Sequence, residues 1–273
     1  MSLEWGARLH LSRGGNLNAS AYWSYVGQWS RLFVPALLDA AGVAPGQSVL
    51  DVATGSGEAA DLASSAVGKS GMVVGVDVSP AMLEAARDRL SGSTFRAVAM
   101  DAASIAFRDL SFDAVICQLG LMFFPQRLQS LMEMRRVLRR GSRASVCVPC
   151  SAECAPMCGV LAETLVRFLP ERTSALLLTF SLSDPAKLEM LFREAGFHDV
   201  EVRREARTGA ISSFDEYWRP IESGTGQLPQ AYVALPDASR REVREEVHQR
   251  LAKFEIDGRL DMRIEMLIAT GRA

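Results

Sequence analysis

An α/β fold built on a doubly wound, mainly parallel sheet is the class this sequence predicts, and three observations carry the prediction. Between residues 47 and 148, short apolar runs alternate with helical patterns. Most of those runs are apolar throughout, as strands covered on both faces are. The third observation is the punctuation. Pro80 follows Ser79 as a first-turn proline follows its cap, and Gly141 suits the end of a helix.

In order, the expected strands are 48–52, 71–76, 94–100, 112–117 and 144–148, separated by helices at 58–67, 80–90 and 125–140. Two stretches stand outside this rhythm. Residues 17–42 read as one or two helices whose aromatic face carries Tyr22, Tyr25 and Trp29, with Trp23 and Phe33 nearby. Residues 150–183 read as a helical stretch inserted after the fifth strand. A helix at 185–195, a strand at 199–207, helices at 213–223 and 237–254 and a closing strand at 262–269 complete one sheet with helical cover, not two independent domains.

Composition narrows the function classes. The chain has 273 residues, 48% hydrophobic and 23% charged, with a net charge of −2, which supplies no pull toward nucleic acid or an acidic membrane. No apolar run approaches the roughly 18 residues of a membrane helix. Residues 1–20 lack the apolar core of a signal peptide, so a cytoplasmic location is expected. The cysteine count is five, an odd number that argues against a closed disulfide framework.

The chemistry is concentrated in Val49-Leu50-Asp51-Val52-Ala53-Thr54-Gly55-Ser56-Gly57-Glu58. A buried strand runs through a carboxylate into a tight glycine loop and then a helix, at the carboxyl ends of strands where open α/β sheets bind ligands. Asp77 ends the next strand, where a carboxylate can accept both hydroxyls of a ribose. The plainer reading is a helix cap, a job for which Ser79 is also available. Asp101-Ala102 follows the third strand, so three carboxylates share one rim.

These residues resemble class I S-adenosylmethionine-dependent methyltransferases across nearly the whole chain, and among them the ubiquinone/menaquinone C-methyltransferase-like branch. The resemblance rests on residues 50–58, on Val76-Asp77-Val78-Ser79-Pro80-Ala81-Met82-Leu83 and on Asp101-Ala102. It continues through Phe112-Asp113-Ala114-Val115, Gln118-Leu119-Gly120-Leu121-Met122-Phe123-Phe124-Pro125 and Arg136-Val137-Leu138-Arg139-Arg140-Gly141. Ala53 stands where many members have a first glycine, and Arg140 and Ser142 depart from the usual turn.

The resemblance implies a Rossmann-like seven-stranded sheet whose last strand is antiparallel. It implies S-adenosyl-L-methionine as cofactor and S-adenosyl-L-homocysteine as product. Asp51, Gly55 and Gly57 would line the methionine part, with Ala53, Thr54 and Ser56 in the same loop. Asp77 would bind the ribose with Val78 beside it, Met82 would pack on the adenine, Asp101 and Ala102 would read its edge, and Gln118 would sit near the methionine end. The domains implied are an N-terminal helical cover (1–45), a cofactor-binding core (46–150), a helical insert near the substrate pocket (151–183) and the rest of the core with a helical cap (184–273). The expected partner is a small, largely apolar methyl acceptor, quinone-like, phenolic or a natural product. The protein itself is expected as a monomer or homodimer.

Other signals are weighed against plainer ones. Tyr22, Tyr25, Trp29, Met122, Cys150 and Trp218 are candidates for the acceptor pocket, although the aromatic residues also suit simple core packing. The spacing of Cys147, Cys150, Cys154 and Cys158 fits no common zinc or iron–sulfur pattern, so no metal is expected. Cys147 is placed on a buried strand, with the other three aligned at i, i+4 and i+8 along a helix as small apolar packing. Residues 242–248 read as a solvated helix face. Of the histidines, His198 and His248 lie away from the expected pocket, and His10 is a weak candidate for a general base. A nicotinamide oxidoreductase is the main alternative, because residues 55–60 fit G-x-G-x-x-A. Asp51 argues against it, since its charge would crowd a diphosphate. A cofactor-binding protein without catalysis is the other alternative.

Overall fold

The computed structural model describes residues 26–273. Its sheet contains β1 (Ser48–Val52), β2 (Met72–Asp77), β3 (Phe95–Ala99), β4 (Phe112–Gln118), β5 (Leu138–Pro149), β6 (His198–Ile211), β7 (Glu255–Ile256) and β8 (Arg259–Arg272). The spatial order is β3-β2-β1-β4-β5-β8-β6, and β7 pairs with β8 off that path. Strands β1 to β5 are parallel to one another, whereas β8 lies between β5 and β6 and runs antiparallel to both. Seven strands therefore make the expected sheet with its last strand antiparallel, and β7 is an added two-residue arm. It is closed by Asp257 and Gly258, both with positive φ (51° and 77°), as a two-residue hairpin turn requires.

Nine longer helices cover the sheet among the described residues: α1 (Val34–Ala41), α2 (Glu58–Val67), α3 (Pro80–Arg89), α4 (Arg127–Val137), α5 (Pro156–Phe168), α6 (Pro185–Glu194), α7 (Phe214–Glu222), α8 (Gln227–Val233) and α9 (Asp237–Leu251). The strict side-chain alternation of the central strands divides the interior in two. Val49, Val73, Ala114 and Ile116 join one apolar core with Leu37 of α1, Ala60 of α2 and residues of α5 and α7–α9. Leu50, Val52, Val74, Val76 and Val115 join the other with Leu131 and Met134 of α4 and Leu188 and Phe192 of α6. Helix α5, from the 151–183 segment, shares the first core with α8 and α9, so the insert and the C-terminal helices make one cap.

Several local expectations need correction. Helix α4 stops at Val137 rather than at 140, because Leu138 is already extended (φ −74°, ψ 140°). Gly141 does not end that helix. It lies at φ 79° within β5, where the pairing with β4 jumps from Phe112↔Leu138 to Ala114↔Arg143 and the extra residues bulge. The cysteines do not share a helix. Cys150 follows β5, Cys154 closes a 3-10 turn (Ala152–Cys154), and Cys158 lies in α5, which begins only at Pro156. All five thiols are free, and no metal-holding group of three or more His, Cys, Asp or Glu occurs among the described residues.

Helix α8 was not expected, and β6 and β8 extend several residues past their expected ends. Finally, the 242–248 face is only partly solvated. Glu246 pairs with Arg167 at 2.7 Å and accepts from the Thr164 hydroxyl, and the His248 ring stacks on Phe214 with centroids 4.1 Å apart. The residues Tyr22, Trp23 and Tyr25, and His10, lie outside the described residues.

Arg136, from the segment before β5, has a structural role. Its guanidinium donates to the carbonyls of Ile105 and Phe107 and pairs with Asp109 and Glu133, fastening the loop after β3 to α4. No described helix is long and apolar enough to cross a membrane.

Candidate active site

At the carboxyl ends of β1 and β4, a cavity of about 30 Å³ is lined by Ser30, Asp51, Ala53, Thr54, Gly55, Glu58, Ala59, Gln118 and Leu119. Asp51 is placed there by β1, with no solvent exposure. Its Oδ2 accepts a hydrogen bond from the Thr54 hydroxyl at 2.7 Å, while its Oδ1 is buried with no hydrogen-bond partner among the described residues. A buried, unpartnered carboxylate oxygen is costly to keep charged. Burial, with smaller contributions from Glu58 and Asp77, pushes the Asp51 carboxyl up to about 7, against the opposing pull of the Thr54 hydroxyl.

Asp77, at the end of β2, folds back over the glycine loop. Its Oδ2 accepts from the Gly55 amide at 3.0 Å and its Oδ1 from the Ser79 amide at 2.9 Å. Burial raises this carboxyl too, and the surrounding amides oppose the shift. The helix cap itself is Ser79, whose hydroxyl accepts from the Met82 amide. Asp77 is therefore not committed to capping α3.

The backbone around the cavity is unusual. Ala53 (φ 58°) and Leu119 (φ 54°) are both left-handed without being glycine. They belong to loops that meet closely: a Cβ on Gly120 would come within 2.6 Å of the Ala53 methyl. Replacing Ala53 with Gly removes the left-handed penalty and adds unfolded-state entropy, so a net stabilisation of about 0.5 kcal/mol is expected. Chemical denaturation checks this. A loss of stability would show that the methyl's contact with Gly120 outweighs the strain.

Gln118, at the end of β4, donates from Nε2 to the Ser30 carbonyl at 2.6 Å, tying the segment before α1 over the cavity. Asp101 is exposed on the same rim, its Oδ1 accepting from the Ala103 amide at 2.8 Å, whereas Met82 and Ala102 are buried and Val78 is exposed.

Comparison with known proteins shows the family. A family model described as a methyltransferase domain matches residues 49–141. Demethylmenaquinone methyltransferase of Staphylococcus aureus is 32% identical over 185 residues, covering 63% of this chain and 76% of that protein. The chain belongs to the class I S-adenosylmethionine-dependent methyltransferases, on their quinone-methyltransferase-like branch.

Solved structures share the fold of this methyltransferase. A Bacillus halodurans protein superposes with a TM-score of 0.58 at 20% identity, over 88% of this chain and 97% of that one. Phosphoethanolamine N-methyltransferase 2 of Haemonchus contortus, in complex with phosphomonomethylethanolamine and S-adenosylhomocysteine, also reaches 0.58, at 16% identity over 93% of this chain and 57% of that one. S-adenosylmethionine is the cofactor of the family, and the donor set suits it. The unpartnered Asp51 oxygen calls for a cation such as an α-ammonium, and a diphosphate would meet it with like charge.

Other residues of the methyltransferase fall differently from expectation. Met122 and Cys150 are buried in the core under α4 and α6, while Trp29 and Trp218 are buried in the opposite core. None of the four lines the cavity beside the glycine loop. Trp218 is 1% exposed and packs between Phe214 and Tyr232. His198 begins the outer strand β6, and neither it nor His248 lines the cavity. Sequence reasoning missed Glu58 as a site residue. It is 7% exposed, accepts from the Ser56 hydroxyl at 2.5 Å and pairs with Arg89 at 3.3 Å. Its place directly after Gly57 was visible, but its burial was not.

Proposed function

We propose that this methyltransferase moves the methyl group of S-adenosylmethionine to a small, largely apolar acceptor of quinone-like or phenolic type. The observation that carries the reading is the Asp51 carboxylate, whose buried and unpartnered oxygen lines the cavity beside the glycine loop. The acceptor class draws on the likeness to demethylmenaquinone methyltransferase.

In this reading Asp51 takes the α-ammonium of the cofactor, and the Thr54 hydroxyl holds the carboxylate in position. Ala53, Gly55, Ser56 and Gly57 form the wall along the methionine part, with Gln118 at its far end. Asp77 turns from the Gly55 amide to the ribose hydroxyls, with Val78 beside it. Met82 and Ala102 pack against the adenine, and Asp101 accepts from its amino group. The cavity holds about one water, so the Gln118–Ser30 contact parts when the cofactor enters.

The sulfonium supplies an already activated methyl for in-line displacement. The protein's share is to align the acceptor and exclude water. No base is assigned.

Calorimetric titration with S-adenosylmethionine, S-adenosylhomocysteine and NADH in parallel, followed by mass spectrometry of a demethylated naphthoquinol incubated with the enzyme, tests the reading. Binding of the first two ligands and a 14-dalton gain on the quinol are expected by the chemistry of methyl transfer. Binding of NADH alone overturns the reading. Asp77→Ala is expected to weaken S-adenosylhomocysteine by about 1.5–3 kcal/mol, the contribution of a hydrogen bond to a charged group. Wild-type affinity in that variant removes Asp77 from the ribose.

A further inference from the structure

The base of the cavity carries more carboxylate than one ammonium needs. Asp51 of β1 and Glu58 at the first turn of α2 both line it, and the charge of Asp77 at the end of β2 reaches Asp51. Among the described residues only Glu58 has a cationic partner, Arg89 of α3 at 3.3 Å. The other neighbours of Asp51 are neutral. These are the Thr54 hydroxyl, the Ala60 amide and the Cys117 thiol of β4, which burial pushes up to about 12. No cationic side chain among the described residues contacts Asp51, and its Oδ1 has no donor.

A fully buried carboxylate in that setting keeps a proton until a cation is supplied. We propose that cofactor binding expels one proton from Asp51 to solvent, and that Glu58 is the positioning residue that holds the proton there in the ligand-free protein. This rests on the reading that Asp51 takes the cofactor's ammonium. The step balances simply: the Asp51 O–H bond breaks, its proton leaves with water, and the ammonium arrives already charged to pair with the carboxylate.

The sign follows from Asp51 sitting up to about 7 in the free protein and lower in the complex. Below that range a proton competes with the ligand, so affinity falls as the pH falls. Above it, the site is ready and affinity levels off. Glu58 works through its negative charge, which its ion pair with Arg89 partly offsets.

Two measurements decide the matter. Titration of the wild-type protein with S-adenosylhomocysteine in two buffers of different ionisation heat, phosphate and imidazole at pH 6, EPPS and Tris at pH 8.5, reports protons released. About one proton is expected at pH 6 and almost none at pH 8.5, with affinity about tenfold weaker at pH 6 than at pH 8. Glu58→Gln shifts this profile to lower pH, and Arg89→Ala shifts it to higher pH. A merely structural role for Glu58 would change affinity at all pH values alike.

Binding at pH 6 without proton release overturns the coupling and leaves the cofactor reading standing. A release profile unmoved by Glu58→Gln overturns the role of Glu58. No binding at any pH overturns the cofactor reading itself. The coupling is then decided on the free protein by carbon NMR of aspartate carboxyls. One resonance, absent from Asp51→Asn, is expected to titrate near pH 7. A midpoint in the ordinary aspartate range overturns the proposal.

Discussion

At pH 8, Asp51→Asn raises the melting temperature of the ligand-free protein while sharply weakening S-adenosylhomocysteine. The folded state holds the Asp51 carboxyl up at about 7, against 3.8 for the ordinary group, chiefly through burial. A group raised in the folded state stabilises it at low pH and loses that contribution as the pH climbs through the folded value. Wild-type stability from this residue is therefore full below about pH 4 and gone above about pH 7. Asn carries no charge to bury, so its advantage is small near pH 4, grows toward pH 7 and then stays level. Its plateau is expected at about 2–4 kcal/mol, or roughly 5–10 °C. Thermal melts at pH 4.5 and pH 8 check this. An Asn variant less stable than wild type at pH 8 would mean that the Thr54 contact matters more than the buried charge.

Gly75→Ala acts on the same carboxylate from behind. Gly75 lies opposite Asp51 in the β1–β2 ladder, and a Cβ there would sit 2.7 Å from the Thr54 hydroxyl and 2.7 Å from the Phe95 ring. Neither neighbour can yield freely. Thr54 is held by its bond to Asp51, and Phe95 is buried at the start of β3. The added methyl is expected to cost about 2–3 kcal/mol of stability through overpacking. Because it drives Thr54 off Asp51, cofactor affinity is expected to fall at least about tenfold, the loss of one hydrogen bond to a charged group. Denaturant unfolding and calorimetry measure the two effects separately. Lost stability with unchanged affinity would show that Thr54 does not orient Asp51.

Asp51, the glycine loop and Asp77 were legible because strand, loop and helix follow one another within a few residues, so local chemistry and final position coincide. Helix α2 has the expected bounds for the same reason. What was not legible depended on distant chain. The burial of Glu58 is shared with Arg89 at the far end of α3, and nothing near Gly57 announces it. The pocket candidates looked alike in sequence, yet the two faces of the sheet divide Trp29 and Trp218 from Met122 and Cys150. Gly141 after a basic helix reads like a C-terminal cap, but the β4 pairing draws the chain into a strand at Leu138. Two errors had local signals that went unread. Pro156 marks where α5 begins, after Cys150 and Cys154, and Asp257-Gly258 marks the β7–β8 turn.

The position of β8 between β5 and β6 has a consequence for synthesis on the ribosome. β6 pairs only with β8, so it must wait unpaired until the later strand emerges. Meanwhile β5, with its buried Val146, Cys147 and Val148, presents an open edge to any other nascent chain. The waiting strand is dense in charge, with Glu201, Arg203, Arg204, Glu205 and Arg207, which discourages such pairing. β5 has no comparable protection in its apolar half, so that edge stays exposed to pairing until β8 seals the sheet.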